Sequence, residues 1–160
     1  MIRPLLMDDW GAIRAIYIQG IETRMATFET SPPMKDQWFT NSVPGTLLGF
    51  EDDGELVGFA KVLPTSTREC YRGVGEVTIY LHPRASGKGI GTQLLQELIN
   101  ASEQHGFWTL KASIFPENVA SLRVHEKCGF RMVGRHEKIA QLDGVWRDTI
   151  VVERRSQKIV

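Results

Sequence analysis

The sequence predicts a domain of the α/β (α+β) class, with a mixed, mostly antiparallel central sheet and helices on both faces of that sheet. Two Asp-Gly turn signals, at residues 52–54 and 143–144, each separate two strand-like segments and indicate antiparallel hairpins. Between these hairpins, a strand, an amphipathic helix and a second strand follow one another over residues 76–114. That succession indicates a parallel pair of strands joined by a right-handed crossover. The predicted order of elements is βααβββαβαββ.

The first half of the chain is predicted to contribute three strands and two helices. A short strand covers residues 2–5, and Asp8 or Asp9 can cap the helix that follows it. Apolar side chains recur at helical spacing in this helix, at Ala12, Ile13, Ile16, Tyr17 and Ile21. Four further segments complete this half: a loop at 24–33, a short helix at 34–41, and hairpin strands at 46–51 and 56–63.

The second half begins with the central strand at 76–81, where apolar and polar side chains alternate with the period of a pleated strand. An apolar stripe predicts a helix over 90–105, and Gly106 stands where a left-handed C-cap ends such a helix. The other predicted elements are a strand at 110–114, a helix at 116–127, and two long strands at 130–140 and 145–153.

The length and composition fit one globular domain. We assign residues 1–153 of the 160 to it, followed by a charged C-terminal tail at 154–160. Nineteen basic and nineteen acidic residues cancel, so we expect no nucleic-acid or membrane partner. The sequence has neither the apolar run of a signal peptide nor the ~20 apolar residues of a membrane span. Because Cys70 and Cys128 make no disulfide framework, we expect a cytoplasmic protein.

The most informative motif is a glycine loop between the central strand and the next helix. The strand stops at His82-Pro83, because proline lacks the N–H that a sheet needs, and the loop at 84–89 leads into the helix at Ile90. Free backbone N–H groups, the positive end of the helix dipole and flanking cations make this loop an anion cradle. We therefore expect a ligand with phosphates; the alternative is a tight turn without a ligand.

Two common phosphate loops do not fit this motif. A P-loop requires Gly-Lys-Ser/Thr, but Gly89 follows Lys88. A dinucleotide-binding fingerprint of the Rossmann type requires glycine at position 92, where this chain has Thr92. The pattern that fits is Arg-x-x-Gly-x-Gly with a further glycine two residues on, at 84–91.

This loop resembles the pyrophosphate loop of the GNAT family of acetyl-CoA-dependent N-acetyltransferases. The order of elements is also that of the GNAT fold, and residues 118–130 (NVASLRVHEKCGF) resemble the family's second coenzyme A motif. Within the family, the chain is most similar to phosphinothricin and methionine sulfone/sulfoximine N-acetyltransferases. Four segments carry that similarity: Ala26-Thr27-Phe28-Glu29, Tyr71-Arg72 ahead of 76–80, His125-Glu126-Lys127, and Gly144-Val145-Trp146-Arg147-Asp148.

The resemblance implies how acetyl-CoA, the expected co-substrate, binds. The pantetheine arm is expected to pair as an added strand with the backbone of Ile79, Tyr80 and Leu81. The pyrophosphate is expected to accept hydrogen bonds from the backbone of Gly87, Lys88, Gly89, Ile90, Gly91 and Thr92. Arg84 and Lys88 either add positive charge there or are solvated cations. Asn118 and Ser121 belong to the second motif, in which Asn118 binds the pantetheine, caps its helix, or does both.

The resemblance also implies catalytic roles for two side chains. Glu76 is expected to act as a general base that takes a proton from the substrate ammonium, directly or through water. The alternative for Glu76 is a side chain in solvent or paired with Arg72. His125 stands where many family members have a tyrosine that protonates the leaving thiolate, and it either serves as that acid or packs on its helix.

Fewer sequence features indicate which residues bind the amine acceptor than indicate which residues bind acetyl-CoA. Arg72 is expected to hold a substrate carboxylate, because arginine binds carboxylates in a bidentate manner. By resemblance, Phe28 and Glu29 lie in a loop that roofs the acceptor cleft, and Trp146 walls the cleft or contacts a second subunit of a homodimer. Core packing of Phe28 and Trp146 is the alternative. The histidines have no metal-ligand spacing, so no metal site is expected.

The predicted function is transfer of the acetyl group of acetyl-CoA to the primary amine of a small amino-acid-like substrate. The transfer is expected to occur in a direct ternary complex with Glu76 as base. One alternative is a protein or peptide N-terminal acetyltransferase, which needs a long open groove. Another is a catalytically silent acyl-CoA-binding module, which has no need of Glu76. A Rossmann-type nucleotide-binding protein is disfavoured by Thr92.

Overall fold

The computed structural model describes residues 1–160 as seven strands and four α-helices in the order β1-α1-α2-β2-β3-β4-α3-β5-α4-β6-β7. The strands are β1 (Ile2–Pro4), β2 (Leu48–Asp52), β3 (Glu55–Pro64), β4 (Val74–Leu81), β5 (Thr109–Ile114), β6 (Arg131–Leu142) and β7 (Val145–Arg155). The helices are α1 (Trp10–Glu22), α2 (Lys35–Thr40), α3 (Ile90–Gln104) and α4 (Val119–Lys127). None of these helices has the length and apolar character needed to cross a membrane.

All seven strands form one sheet in the order β1-β2-β3-β4-β5-β7-β6. Neighbouring strands are antiparallel except for β4 and β5, which run parallel and are connected through α3. The predicted fold class, a mixed and mostly antiparallel sheet, is therefore confirmed.

Helices cover both faces of this sheet, as predicted. On one face, the apolar stripe of α3 is fully buried against the sheet, through Leu94, Leu95, Leu98 and Ile99. On the other face, α1 and α2 pack around Phe59 of β3, and Trp38 of α2 meets the Phe59 ring edge-on at 5.4 Å between centroids. The side chains of β3 and β4 therefore belong alternately to two different cores, as expected for a pleated strand that is covered twice.

Both predicted hairpins are confirmed by their backbone geometry. Asp53 and Gly54 have φ angles of 51° and 78°, and Asp143 and Gly144 have φ angles of 52° and 78°. Two successive residues with positive φ are the signature of the type I′ turn, whose twist matches that of the flanking strands. Local sequence alone is sufficient to specify these two turns.

The structure departs from the sequence prediction at both ends of the chain. Asp9 precedes α1 but makes no capping hydrogen bond to it; its carboxylate instead pairs with Arg3 at 2.8 Å. At the other end, β7 continues to Arg155, so the last strand is longer than predicted. The residues after it are held by Glu103 of α3, whose carboxylate accepts from the Ser156 hydroxyl at 2.9 Å and pairs with Lys158 at 3.0 Å.

The parallel strands β4 and β5 separate after a short stretch. They are in register only at Val74–Thr109, Gly75–Leu110 and Glu76–Lys111. By contrast, β4 remains paired with β3 all the way to Leu81. From Val77 onward, the backbone of β4 that faces β5 consequently has no strand partner, and a gap opens in the middle of the sheet.

Candidate active site

A cavity of about 650 Å³ lies where β4 and β5 separate. Strand β4 lines it with residues 76–80, and β5 and the turn after it line it with residues 112–115. The loop after α1 and the helix α2 cover it, through residues 25–29, 31–33, 37, 38 and 41. Helix α4 contributes Ser121 and His125, and β3 contributes Lys61 and Leu63. No group of three or more His, Cys, Asp or Glu side chains is arranged to hold a metal ion.

Glu76 lines this cavity at the point where the two strands part. It lies opposite Leu63 of β3 and is half-buried, while the next residue, Val77, is buried in the core under α3. The alternation of side chains in a strand therefore directs Glu76 towards the opposite face, which carries the cavity. Its carboxylate makes no ion pair or hydrogen bond to another protein group. Arg72, the alternative partner, pairs with Glu69 at 3.4 Å instead.

His125 is almost completely buried and also lines the cavity. Its Nδ1 lies 2.8 Å from the backbone oxygen of Ser121, and its ring meets Phe130 edge-on. Because a carbonyl only accepts hydrogen bonds, Nδ1 must carry the proton, and Nε2 of the neutral ring presents a lone pair. Burial lowers the pKa of His125, partly offset by the bond to Ser121, so the neutral ring is favoured. Nε2 is buried and has no hydrogen-bond partner in the protein.

Asn118 connects the start of α4 to the loop that covers the cavity. Its side-chain oxygen accepts from the backbone N–H of Ser121 at 3.2 Å, so its predicted role as helix N-cap is confirmed. Its amide nitrogen donates to the backbone oxygen of Met25 at 3.1 Å. The covering loop is thus anchored to the same helix that carries His125.

The glycine loop has the backbone geometry of an anion cradle. Gly87 and Gly89 both have φ of 75°, and Gly89 is the N-cap residue from which α3 starts at Ile90. Residues with positive φ immediately before a helix orient the free N–H groups of the first helical turn towards one point. The helix dipole is positive at that same point. A larger residue has little room at Gly91, where a Cβ atom would lie 3.2 Å from Leu81.

The two cations of this loop are already paired with acidic side chains. Arg84 contacts Glu55 at 2.5 Å, and Lys88 contacts Asp52 at 3.7 Å. Both acidic residues belong to the hairpin of β2 and β3. Because these four side chains remain substantially exposed to solvent, each ion pair is weak and easily exchanged for another anion.

The cradle and the gap in the sheet together fit coenzyme A. The backbone of Ile79, Tyr80 and Leu81 has no partner on the side of β5, so an extended pantetheine arm can pair with it as an added strand. The N-terminus of α3 follows the end of β4, so its free N–H groups are available to a pyrophosphate attached to that arm.

Of the acceptor residues predicted from the sequence, the structure places two in the cavity and two outside it. Phe28 and Glu29 line the cavity, and Phe28 packs edge-on against Phe115 with 4.8 Å between ring centroids. Arg72 does not line it: its side chain is 64% exposed and lies over the ring of Trp108. Trp146 is 56% exposed and also lies outside the cavity.

Sequence reasoning missed several residues that line the cavity. The most informative of them is Lys61, which is 4% exposed although it carries a charge. One signal was present in the sequence: Lys61 is the single charged residue in the apolar run of β3 from Leu56 to Leu63. Trp38 is another of these residues: it both packs in the core under α2 and lines the cavity.

A gap between parallel strands with a glycine cradle at its end is the arrangement expected of an acetyl-CoA-dependent N-acetyltransferase, because the gap can take the pantetheine arm and the cradle its pyrophosphate. Residues 7–130 match the acetyltransferase (GNAT) family. The chain therefore belongs to the GNAT family of acetyltransferases.

Similarity to individual proteins covers nearly the whole chain. It is 33% identical over 159 residues to the phosphinothricin N-acetyltransferase of Alcaligenes faecalis, covering 96% of this chain and 81% of that protein. The crystal structure of a phosphinothricin acetyltransferase from Sinorhizobium meliloti with acetyl-CoA matches with a TM-score of 0.88 and 29% identity, covering 97% and 87%. The ribosomal-protein-alanine N-acetyltransferase of Brucella melitensis matches with a TM-score of 0.90 and 29% identity, covering 98% and 99%.

Proposed function

We propose that the protein acetylates the primary amine of a small amino-acid-like substrate, of the phosphinothricin or methionine sulfone type. The observation that carries this proposal is the cavity of about 650 Å³ beside Glu76, covered by the loop after α1 and by α2. A cavity of this size suits a small molecule. The name of the relative from Alcaligenes faecalis points to the same class of acceptor.

A protein N-terminal acetyltransferase is the second candidate, favoured by the name of the structural neighbour from Brucella melitensis. A peptide acceptor needs an open groove for several residues. Here residues 25–29 and 31–33 and helix α2 form one wall of the cavity and bound it on that side, which favours the small acceptor. The unpaired Glu76 carboxylate argues against a silent acyl-CoA-binding module, because a module without catalysis has no need of a base.

In this proposal, the backbone of the chain binds acetyl-CoA, which supplies an activated thioester. Ile79, Tyr80 and Leu81 pair with the pantetheine arm, and Asn118 and Ser121 hold it from α4. The amides of residues 87–92 bind the pyrophosphate, and Arg84 and Lys88 add positive charge. A free N–H of β4 beside the thioester polarises its carbonyl oxygen, as a donor in an oxyanion hole does.

Two side chains handle protons in the proposed reaction. Glu76 removes a proton from the acceptor ammonium, so that the amine nitrogen has a lone pair for attack on the carbonyl carbon. As the new amide bond forms, the nitrogen must lose a second proton, and we assign its acceptance to the free lone pair at Nε2 of His125. His125 can then act as the predicted acid by giving this proton to the departing sulfur. A neutral His125 cannot protonate the sulfur before it has gained that proton.

We place the transfer in a direct ternary complex. A route through an acetylated enzyme needs a reactive nucleophile in the cavity, for which cysteine is the most suitable side chain. Neither cysteine lines the cavity: Cys70 is exposed elsewhere, and Cys128 is buried with its sulfur 3.6 Å from the backbone oxygen of Thr92.

A homodimer is part of the same proposal. Strand β6 is an edge strand, and the hairpin of β6 and β7 carries large apolar side chains that are more than half exposed, namely Met132, Val133, Ile139, Val145 and Trp146. Edge strands with exposed apolar side chains readily pair with another chain. Sedimentation velocity is expected to show a dimer that Trp146→Glu weakens; a monomer at all concentrations would exclude it.

A cytoplasmic location also remains a proposal. Cys70 and Cys128 are both free thiols, which is the usual state in a reducing compartment. Cell fractionation tests the location, and recovery of the protein with membranes or in the culture medium would contradict it.

The function is tested by following the release of free thiol from acetyl-CoA. The acceptors are phosphinothricin, methionine sulfone, ordinary amines and short peptides with a free N-terminus. Turnover of the amino-acid analogues with intersecting initial-velocity lines is expected, whereas parallel lines would indicate an acetylated enzyme. Turnover of peptides alone would favour the protein N-terminal acetyltransferase. Binding of coenzyme A without turnover of any acceptor would indicate the silent module.

A further inference from the structure

Lys61 is a buried cation on the wall of the acetylation cavity. It lies between Ala60 and Val62 on β3 and directly opposite Thr78 of β4. It is 4% exposed and lines the cavity together with Glu76. Leu63 follows Lys61 by two residues on β3, so both side chains point to the same face of the sheet, and Glu76 lies opposite Leu63 on β4. The side chains of Lys61 and Glu76 are therefore diagonal neighbours, within reach of one ligand.

The ammonium group of Lys61 has no carboxylate partner in the protein. Its Nζ donates to the backbone oxygen of Trp38 at 3.0 Å and lies 3.9 Å from the centre of the Trp38 ring. An ammonium has three N–H donors, so this environment leaves its hydrogen bonding incomplete. Lysine is rarely buried without a paired anion, and burial lowers the pKa of Lys61 to about 8.

Lys61 is also the single lysine or arginine that lines the cavity. The other titratable side chains there are Glu29 and Glu76, which repel an anion, and Tyr17, Tyr80 and His125, whose neutral forms are favoured by burial. A negatively charged group that enters the cavity therefore has one cationic side chain with which to pair. The arginine predicted for this role, Arg72, lies outside.

We infer that Lys61 binds the carboxylate of the amine acceptor and thereby selects amino acids over simple amines. An amino acid carries its ammonium and its carboxylate on one carbon, so a single molecule can face Glu76 with one group and Lys61 with the other. The incoming carboxylate supplies the counter-charge that the buried ammonium lacks, in a partly water-excluded site where such a pair is strong. This inference rests on the proposed function and names the acceptor feature that the cavity recognises.

The test compares acceptors that differ only at the carboxylate. Methionine sulfone is compared with its carboxamide and with the decarboxylated amine, in wild type, Lys61→Met and the matched control Arg72→Met. Methionine keeps the length of the buried stem and removes the charge. Phosphinothricin and its decarboxylated analogue, which keeps the phosphinate, show whether the side-chain acid substitutes for the carboxylate.

We expect wild type to prefer the carboxylate acceptor by about 10- to 100-fold in kcat/KM, the range for a hydrogen bond to a charged group. Lys61→Met is expected to lose this preference mainly through the acceptor KM, while the KM for acetyl-CoA and turnover of the decarboxylated amine stay unchanged. Arg72→Met is expected to behave as wild type. Calorimetric titration of methionine sulfone into the coenzyme A complex is expected to show the same loss of affinity in Lys61→Met.

Failure of this inference and failure of the proposed function are distinguishable. If wild type acetylates carboxylate and carboxamide acceptors equally, or if Lys61→Met keeps the preference, the role of Lys61 is overturned while the small-amine function stands. If Arg72→Met loses the preference instead, the carboxylate site belongs to Arg72. If wild type binds coenzyme A but acetylates no small amine, the proposed function fails and the inference fails with it. Lys61→Gln replaces Lys61→Met if circular dichroism shows the latter to be misfolded, and the wild-type comparison needs neither variant.

Discussion

The ring Nδ1 of His125 lies 2.8 Å from the backbone carbonyl of Ser121, four residues earlier on α4. This contact fixes the proton on Nδ1 and leaves Nε2 as a buried acceptor without a partner, on a residue that lines the cavity. In this state, His125 takes a proton more readily than it gives one. The order of proton transfers in the proposed reaction follows from that geometry.

Replacing His125 with phenylalanine is expected to lower kcat by about 10²- to 10⁴-fold, because it removes the acceptor Nε2. The matched control is His105→Phe: His105 makes the same 2.8 Å contact to a carbonyl four residues earlier, but it is exposed at the end of α3. Steady-state rates with saturating acetyl-CoA measure the effect. Equal activity of both variants would assign His125 to packing alone.

Acid should destabilise the wild-type protein through His125. Burial lowers the pKa of this ring below its ordinary value of 6.5, so the unfolded chain binds more protons than the folded one as the pH falls below 6.5. The free energy of unfolding is therefore expected to fall as the pH drops from 6.5, and to fall less in His125→Phe. Urea unfolding curves at several pH values measure both, and identical pH dependence in the two proteins would contradict the expectation.

Replacing Glu76 with glutamine should affect catalysis and not cofactor binding. Glutamine keeps the shape of the side chain but cannot take a proton, so we expect turnover to fall by about 10²- to 10⁴-fold. Affinity for coenzyme A, measured by calorimetry, should stay unchanged. Glu69→Gln is the matched control, because Glu69 lies on the exposed surface in an ion pair with Arg72. An active Glu76→Gln variant would move the base to another group.

Gly89→Ala should weaken acetyl-CoA binding selectively. Gly89 has φ of 75°, a conformation that costs an alanine about 1 kcal/mol, and a shift in this backbone misdirects the first amides of α3. We expect the KM for acetyl-CoA to rise about 10-fold with the acceptor KM unchanged. Gly106→Ala introduces a similar strain at the far end of the same helix, where φ is 84° and space is open. If both variants raise the KM equally, the effect comes from α3 as a whole.

Local sequence was sufficient for the parts of the fold that local chemistry specifies. Both Asp-Gly hairpins, the glycine cradle and the Gly106 helix end depend on residues that adopt positive φ easily, and all occur where they were predicted. The ends of the chain could not be predicted in this way. Ser156 is held by Glu103, which is 53 residues distant in sequence, so only the folded sheet brings them together.

The candidate site was predicted through family resemblance more than through physical patterns. Phe28 and Glu29, Glu76, and Asn118 and His125 come from three separate segments, and the structure brings all of them to one cavity. Lys61 and Arg72 show the limit of that approach. The environment of Lys61 is created by Trp38, 23 residues away, and Arg72 turns outward over Trp108, so neither placement follows from neighbouring residues.

Lys61→Met is expected to stabilise the protein at neutral pH when no acceptor is bound. Burial lowers the pKa of Lys61 from 10.5 to about 8. At neutral pH, the charged ammonium is therefore less favourable in the folded protein than in the unfolded chain, and this difference destabilises the folded state. Between pH 8 and 10.5, the unfolded chain keeps this proton and the folded chain releases it. The wild-type free energy of unfolding therefore gains roughly 3 kcal/mol from this group across that interval, a gain that Lys61→Met lacks.

Chemical denaturation of both proteins from pH 7 to 10.5 measures this difference. The advantage of Lys61→Met over wild type should be largest at pH 7 and shrink steadily above pH 8. Lys111→Met, which changes an exposed lysine on β5, is the matched control. A constant difference across the interval would mean that Lys61 already has its counter-charge in the free protein, and the reason for it to bind an acceptor carboxylate would disappear.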